Sequence, residues 1–285
     1  MDFKIDCVPC LTRQTVESLR INNTTSEIDE DVMKLVLKKM FEFDYSKNPI
    51  HMSATIHRLI RNQFKSPDPY KEIKNKFNKA ALDLYNDLEK MVNESPHPFD
   101  TAIRIATSGN IIDFGINSNI SIENVKESIQ QALENKFYGN TTEELENAVQ
   151  HAKKILYLGD NCGEIVFDKL LIKQLPLEKI TFVVRGKPII NDALIEDAIF
   201  AGITELVPVI DNGSDVPGTI PELCSEQFNK EFNSADLVIS KGQGNYECLN
   251  DYDKDNMFFL FKVKCNRVAN KLGCHIGDVV MKKNR

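Results

Sequence analysis

At 285 residues, with 42% hydrophobic and 27% charged positions, the chain can bury a sizeable core and is excluded from the disordered class. A formal net charge of −7, without any Arg/Lys block, excludes a basic nucleic-acid-binding stripe, although a small anionic ligand needs only local positive charge. Seven scattered cysteines, an odd number, exclude a secreted disulfide scaffold and fit free thiols in a reducing compartment.

The N-terminus shows no apolar signal core, and no apolar run approaches the roughly 20 residues a membrane helix needs. The expectation is a soluble, cytoplasmic protein that engages neither membrane nor nucleic acid. Residues 1–98 read as a helical N-terminal region. Val32-Met33, Leu35-Val36-Leu37 and Met40-Phe41 recur at helical spacing, as do Phe77, Ala80-Ala81, Leu84-Tyr85, Leu88 and Met91-Val92. Pro67, Pro69, Pro96 and Pro98 punctuate these segments, because proline cannot continue a helix. The stretch from Asp100 to about Glu146 is expected to add helices that join the two parts.

From about residue 150 the texture changes. Short β-branched runs at Lys154–Leu158, Ile180–Val184, Leu206–Ile210, Leu237–Ser240 and Met257–Val263 read as strands. Between them, Glu164–Leu175, Asp192–Ala201 and Pro221–Phe232 have helical length and period. Alternating strands and helices imply parallel pairing through right-handed crossovers. The reading is an α/β fold: a Rossmann-like, doubly wound, mainly parallel sheet over residues 99–285, carrying the catalytic core.

The strand ends carry the chemistry. The first is followed by Gly159-Asp160-Asn161, the second by Arg185-Gly186-Lys187 and the third by Asp211-Asn212-Gly213. The fourth runs into Ser240-Lys241-Gly242-Gln243-Gly244-Asn245, and Lys262 and Lys264 lie near the end of the fifth. Ligands of open parallel sheets bind at the carboxyl ends of the strands, so these groups should converge on one cleft. Asp160 and Asn161 are oxygen donors suited to a hard divalent cation, and Asp192 could supply a second carboxylate. The competing reading is that Asp160 and Asn191 or Asp192 merely cap the helices that follow.

Lys241 with the Gly242–Asn245 backbone suits an anion at a helix N-terminus. Lys262 and Lys264 point the same way if the strand continues through both. Cys7-Val8-Pro9-Cys10 fits half a zinc site, a redox pair or an incidental packing role, and no second pair follows at zinc-finger spacing. The five histidines form no H-x-x-x-H, and no G-x-S-x-G elbow is present.

With these residues in view the chain resembles the damage-control phosphatase family, formerly domain of unknown function 89, and most of all its stand-alone archaeal and bacterial branch. The resemblance rests on Cys7-x-x-Cys10, Ser108-Gly109-Asn110-Ile111-Ile112-Asp113-Phe114-Gly115, Gly159-Asp160-Asn161-Cys162-Gly163-Glu164, Lys187-Pro188-Ile189-Ile190-Asn191-Asp192, Ser240-Lys241-Gly242-Gln243-Gly244-Asn245-Tyr246-Glu247 and Lys262-Val263-Lys264-Cys265. It implies a helical region packed on a Rossmann-like core, with a divalent metal (Mg²⁺, Mn²⁺, Co²⁺ or Ni²⁺) held by Asp160, Asn161 and Asp192. It also implies metabolite repair by hydrolysis of small phosphorylated metabolites: sugar phosphates, nucleotides or damaged derivatives. Asn110 and Asp113 become substrate contacts near the metal, and Glu164 supports the water around it or complements the helix dipole. Eukaryotic members carry Arg-Thr-x-Lys where this chain has Phe259-Leu260-Phe261-Lys262, a departure that leaves the choice between Lys262 and Lys264 open.

Attack by water is favoured over attack by Asp160, because Cys162 stands where a haloacid-dehalogenase-type Asp-x-Asp would have its second carboxylate. Two other readings stay open. One is a nucleotide-using transferase or ligase on the same cleft. The other is a metal- or nucleotide-binding regulatory module without hydrolase activity, in which Cys7 and Cys10 sense metal or redox state.

Overall fold

The computed structural model describes residues 1–22, 25–64, 66–109, 122–134 and 136–285. Four helices come first: α1 (Cys7–Ile21), α2 (Ser26–Phe41), α3 (Pro49–Phe64) and α4 (Lys71–Glu94). The first three bury Leu11, Leu19, Val36, Met52, Ile56 and Ile60 against one another. In α4, Phe77, Ala81, Leu84, Tyr85 and Leu88 recur at helical spacing and join the main core over the sheet. Then come α5 (Pro98–Ser108), α6 (Ile122–Glu134) and α7 (Thr142–His151). Proline opens α5, where its missing N–H costs nothing, and a Thr141/Glu144 capping box opens α7.

The strands are β1 (Tyr138–Gly139), β2 (Ile155–Leu158), β3 (Ile180–Val184), β4 (Val209–Asp211), β5 (Leu237–Lys241), β6 (Met257–Lys262) and β7 (Val279–Lys283). They form one sheet in the order β1-β7-β6-β5-β2-β3-β4, parallel except between β6 and β7. The connecting helices are α8 (Glu164–Ile172), α9 (Ile195–Ala201), α10 (Glu226–Ser234), α11 (Gln243–Leu249) and α12 (Asn266–Leu272). Side chains alternate between the two faces. Ile155 and Tyr157 pack with α4, α5 and α8, whereas Leu156 and Leu158 pack with Phe228, Phe232, Tyr246 and Val268 from the other layer. Helices therefore cover both faces, and both faces of β2 are apolar. The doubly wound, mainly parallel α/β sheet expected from the sequence is present.

Several boundaries differ from the sequence reading. Leu206 and Val207 are drawn back into a turn by N–H bonds to Ile203, and Pro208 lacks the N–H a ladder needs, so β4 starts at Val209. The helix expected from Asp192 starts at Ile195, which leaves Asp192 in the loop. The helix expected from Pro221 becomes a short 3₁₀ turn followed by α10, whose start is set by Ser225 accepting from Phe228 N–H. The antiparallel β7 and the two-residue β1 lie outside the strands expected from the sequence.

Among the described residues, no helix is long and apolar enough to cross a membrane. After β2 the chain moves through β3 to β4 and then returns to the other side of β2 as β5. The crevice between the carboxyl ends of β2 and β5 is thus a topological switch point, the place where open α/β sheets take ligands.

Candidate active site

Backbone chemistry builds the turn after β2. Gly159 is forced by Phe182, whose ring would lie 2.7 Å from any Cβ there. Gly163 takes a left-handed φ of 71° and donates its N–H to Asn78 Oδ1 of α4 at 2.6 Å. The loop after β3 lies alongside: Ala193 N–H donates to Asp160 O and Cys162 N–H to Asn191 O, both at 2.8 Å, and Asn161 and Asp192 form an isolated antiparallel bridge. Ile190, in the same loop, holds φ at 44°, a strained value for a β-branched residue that the surrounding contacts must sustain. The α3 layer reinforces this loop. Arg61 donates to Pro188 O and to Asp215 Oδ2, and Arg58 also grips Asp215. Arg61 also lines a cavity of about 540 Å³ with Asn62, Ser66 and Pro67.

Asp160, Asn161 and Asp192 are thereby brought together and buried. Arg185, the first residue after β3, donates from Nε to Asp192 Oδ2 at 2.6 Å and from Nη2 to Asp160 Oδ1 at 3.4 Å. Asn161 Nδ2 donates to Asp160 Oδ2 at 2.9 Å and to Glu164 Oε2 at 3.2 Å. Glu164 Oε1 accepts from Lys241 Nζ at 2.7 Å. The same ammonium donates to Asp168 Oδ1 at 2.5 Å and to Ala106 O at 2.8 Å, and Tyr157 Oη also donates to Asp168.

Four buried carboxylates, Asp160, Glu164, Asp168 and Asp192, thus share two buried cations, Arg185 and Lys241. Fully ionised, the cluster would carry two uncompensated negative charges, which burial makes costly. Burial, then Asp192 and Glu164, hold the Asp160 carboxyl well above its ordinary range against the opposing pull of Arg185 and Lys264. Burial likewise raises Asp192 despite Arg185, and raises Asp168 to about 6 despite Lys241. Burial disfavours the Lys241 ammonium, but Asp168 and Glu164 more than offset it and keep the group charged.

A divalent cation beside Asp160 and Asp192 would balance the deficit. The chemistry of the donors fits: two carboxylates and a carboxamide suit a hard ion that keeps water or substrate oxygens as its other ligands. Among the described residues, no group of three or more His, Cys, Asp or Glu could hold a metal ion, so the cation would depend on the Asn161 amide as its third protein donor.

Other residues singled out by sequence take different places. Lys241 and Asn245 are fully buried, and their polar atoms are spent inside the wall. Asn245 donates to Lys241 O and Gly159 O and accepts from Thr219 Oγ1. Gly242 donates its N–H to Leu260 O, and at φ 83° it clears space for Asp160, whose Oδ2 would lie 1.9 Å from a Cβ. A Cβ at Gly244 would lie 2.5 Å from Pro217 O. The Lys241 ammonium, the Asn245 side chain and the Gly242 N–H, expected at an anion, are thus spent on packing that shapes the crevice. Glu164, expected to support the water around the metal or to complement the helix dipole, touches Asn161 and Lys241. Lys262 ends β6 half-buried. Lys264 is exposed beyond it, with its charge acting on Asp160 and Asp192 and its N–H held by Gln243 Oε1 at 2.8 Å. Asn110 and Asp113 lie outside the described residues.

Cys7 and Cys10 sit half-buried on the first turn of α1, and burial pushes both thiols up, away from thiolate reactivity. Sequence reasoning placed Arg185 among the strand-end groups without giving it a role, and it passed over Asp168 and Asn78. Arg185 stood at a strand end, and Asp168 was an acid set between the apolar Ile165-Val166-Phe167 and Leu170-Leu171-Ile172 of the same helix, beside Lys169, so both left a visible signal. Asn78 left none, because an amide on a long amphipathic helix reads as surface.

The model of the damage-control phosphatase ARMT1-like domain matches residues 4–280. An uncharacterized protein of Methanocaldococcus jannaschii is 37% identical, over 99% of this chain and 95% of its own length. A damage-control phosphatase of Archaeoglobus fulgidus is 33% identical, over 97% of each chain. One of Pyrococcus horikoshii is 31% identical, over 100% of this chain and 99% of its own. The crystal structure of a DUF89 family protein from Pyrococcus horikoshii superposes with a TM-score of 0.91 at 30% identity, covering both chains completely.

Proposed function

The chain belongs to the damage-control phosphatase ARMT1-like family, and from that premise we propose that it is a divalent-metal-dependent phosphatase of small phosphorylated metabolites, acting in metabolite repair. The observation that carries this reading is the grouping of Asp160, Asn161 and Asp192 at the switch-point crevice, in a buried cluster whose four carboxylates, with Glu164 and Asp168, face only the two cations Arg185 and Lys241 among the described residues.

Asp160, Asn161 and Asp192 would hold the cation. When bound, such an ion offsets charge on the phosphoryl oxygens and orients the attacking water. Arg185 bridges the two carboxylates and offsets part of their mutual repulsion. Lys264, on the exposed side, supplies the positive charge that meets an incoming phosphate. Attack by water rather than by Asp160 is supported by the hydrogen bonds on that carboxylate: Oδ1 accepts from Arg185 and Oδ2 from Asn161. A nucleophile so engaged is poorly disposed to attack.

The test is phosphate release from a panel of sugar phosphates, nucleotides and their damaged derivatives, with Mg²⁺, Mn²⁺, Co²⁺ or Ni²⁺, before and after chelation. Turnover should vanish on chelation and return with added metal. Turnover that survives chelation, or none with any substrate from a folded protein, would overturn the reading.

A further inference from the structure

We propose that Glu164, gripped by the buried Lys241 ammonium, is a positioning residue that fixes the Asn161 carboxamide so that its oxygen end serves the cation. The inference rests on the cation-centre reading above. A carboxamide is nearly symmetric in shape, and its two ends differ only in whether they donate or accept. In the absence of other constraints, Asn161 could turn its NH₂ toward a cation and become useless as a ligand. Two carboxylates settle the orientation. Asp160 Oδ2 and Glu164 Oε2 only accept, at 2.9 and 3.2 Å, so Asn161 must present its NH₂ to both and turn its oxygen end away from them.

Glu164 can do this only if it is held still. It is 1% exposed, and Lys241 Nζ grips its other oxygen, Oε1, at 2.7 Å. The three N–H groups of Lys241 are directed at Glu164 Oε1, Asp168 Oδ1 and Ala106 O, acceptors on or beside α8 and on α5. The ammonium has no donor left for a substrate, and its geometry is fixed from three sides. Charge on Lys241 thus reaches the cation centre through two hydrogen bonds, first to Glu164 and then from Asn161.

The test is calorimetric titration with Mn²⁺ alone, alongside thermal melting and steady-state kinetics. Glu164→Gln should raise the apparent Mn²⁺ dissociation constant by about 10–100-fold, as loss of a partner that orients a metal ligand does. Saturating Mn²⁺ should then restore most of kcat with little change in KM. On an Asn161→Ala background, Glu164→Gln should weaken Mn²⁺ no further, because the effect passes through that amide.

An unchanged Mn²⁺ constant with a lowered melting temperature would overturn the proposal in favour of simple packing. A raised KM at saturating Mn²⁺, with the constant unchanged, would overturn it in favour of direct substrate contact. If Glu164→Gln does not fold, Asp168→Asn, which leaves Lys241 with Glu164 but loosens the ammonium, should shift the constant the same way by a smaller factor. No shift there would also overturn the proposal. A wild-type protein that binds no Mn²⁺ would instead remove the cation-centre reading itself.

Discussion

The two halves of the buried charge cluster each set one basic side chain between two carboxylates yet behave differently. Around Lys241 every contact is short and nothing is exposed: the ammonium meets three acceptors within 2.8 Å, and Glu164 and Asp168 are at most 1% exposed. Around Arg185 the fit is looser. Only the bond to Asp192 is short, the contacts to Asp160 and Thr219 stretch to 3.4 Å, and the Asp160 side chain keeps 10% of its surface open. A closed ion pair fixes geometry, whereas one with slack and an open edge leaves a carboxylate able to take another partner. The Lys241 half supports the centre and the Arg185 half meets the ligand.

Removing a carboxylate from the open half should have the largest effect. Asp160→Ala is expected to cut phosphatase turnover by about 10⁴-fold, equivalent to roughly 5.5 kcal/mol of transition-state stabilisation. Mn²⁺ binding should be lost with it while circular dichroism stays native, since Arg185 keeps Asp192. The regulatory-module alternative expects the reverse, with Cys7→Ser abolishing function and Asp160→Ala sparing it.

A break in the closed half should appear first as instability. Lys241→Met strips Glu164 and Asp168 of the cation that bridges them and should cost about 3–5 kcal/mol in urea unfolding. If that variant were as stable as wild type, the contrast between the halves would collapse.

A buried ionisable group that faces a like charge sharpens the same contrast. His57 is 1% exposed in α3; it is bonded to Tyr70 Oη at 2.8 Å, and its Nε2 meets no partner among the described residues. Burial, then the charge of Arg61, push its pKa down to about 3. The unfolded chain takes up this proton near pH 6.5, so between the two values the unfolded state binds more protons and stability falls as the solution is acidified. The contribution present above pH 6.5 should decline by about 2 kcal/mol at pH 5. His57→Gln should flatten that part of the pH–stability profile, as the difference between the two urea midpoints would reveal.

The parallel core was legible in the sequence because strands buried on both faces are largely apolar runs, and Ile155–Leu158, Ile180–Val184 and Leu237-Val238-Ile239 are such runs. β7 was not, because Val279–Lys283 ends in lysines and pairs antiparallel at the sheet's side. The grouping of Asp160, Asn161 and Asp192 was legible because strand ends in a parallel sheet converge. The roles of Lys241 and Asn245 were not. Sequence places a lysine after a strand, but only three-dimensional packing shows whether it faces the crevice or the helices behind. Lys241 faces Glu164 and Asp168 on α8, four residues apart and hence on one side of that helix.

The same ambiguity surrounds the two C-terminal lysines, and here the expected effect is smallest. Lys262 is the last residue of β6, opposite Val279, where strand geometry holds it half-buried. The chain then leaves the sheet, so the two-residue period no longer aligns Lys264 with Lys262. Lys264 stands exposed with its N–H on Gln243, and its charge reaches both Asp160 and Asp192. An exposed charge acts through water and is screened, so its contribution should be modest and should fall with ionic strength. Lys264→Gln is expected to lower kcat/KM about tenfold at low salt, near 1.4 kcal/mol, and by less as salt is raised. Lys262→Gln should change it by no more than about twofold, under 0.5 kcal/mol. The reverse ranking would return the phosphate-facing role to the strand and remove Lys264 from the open half of the centre.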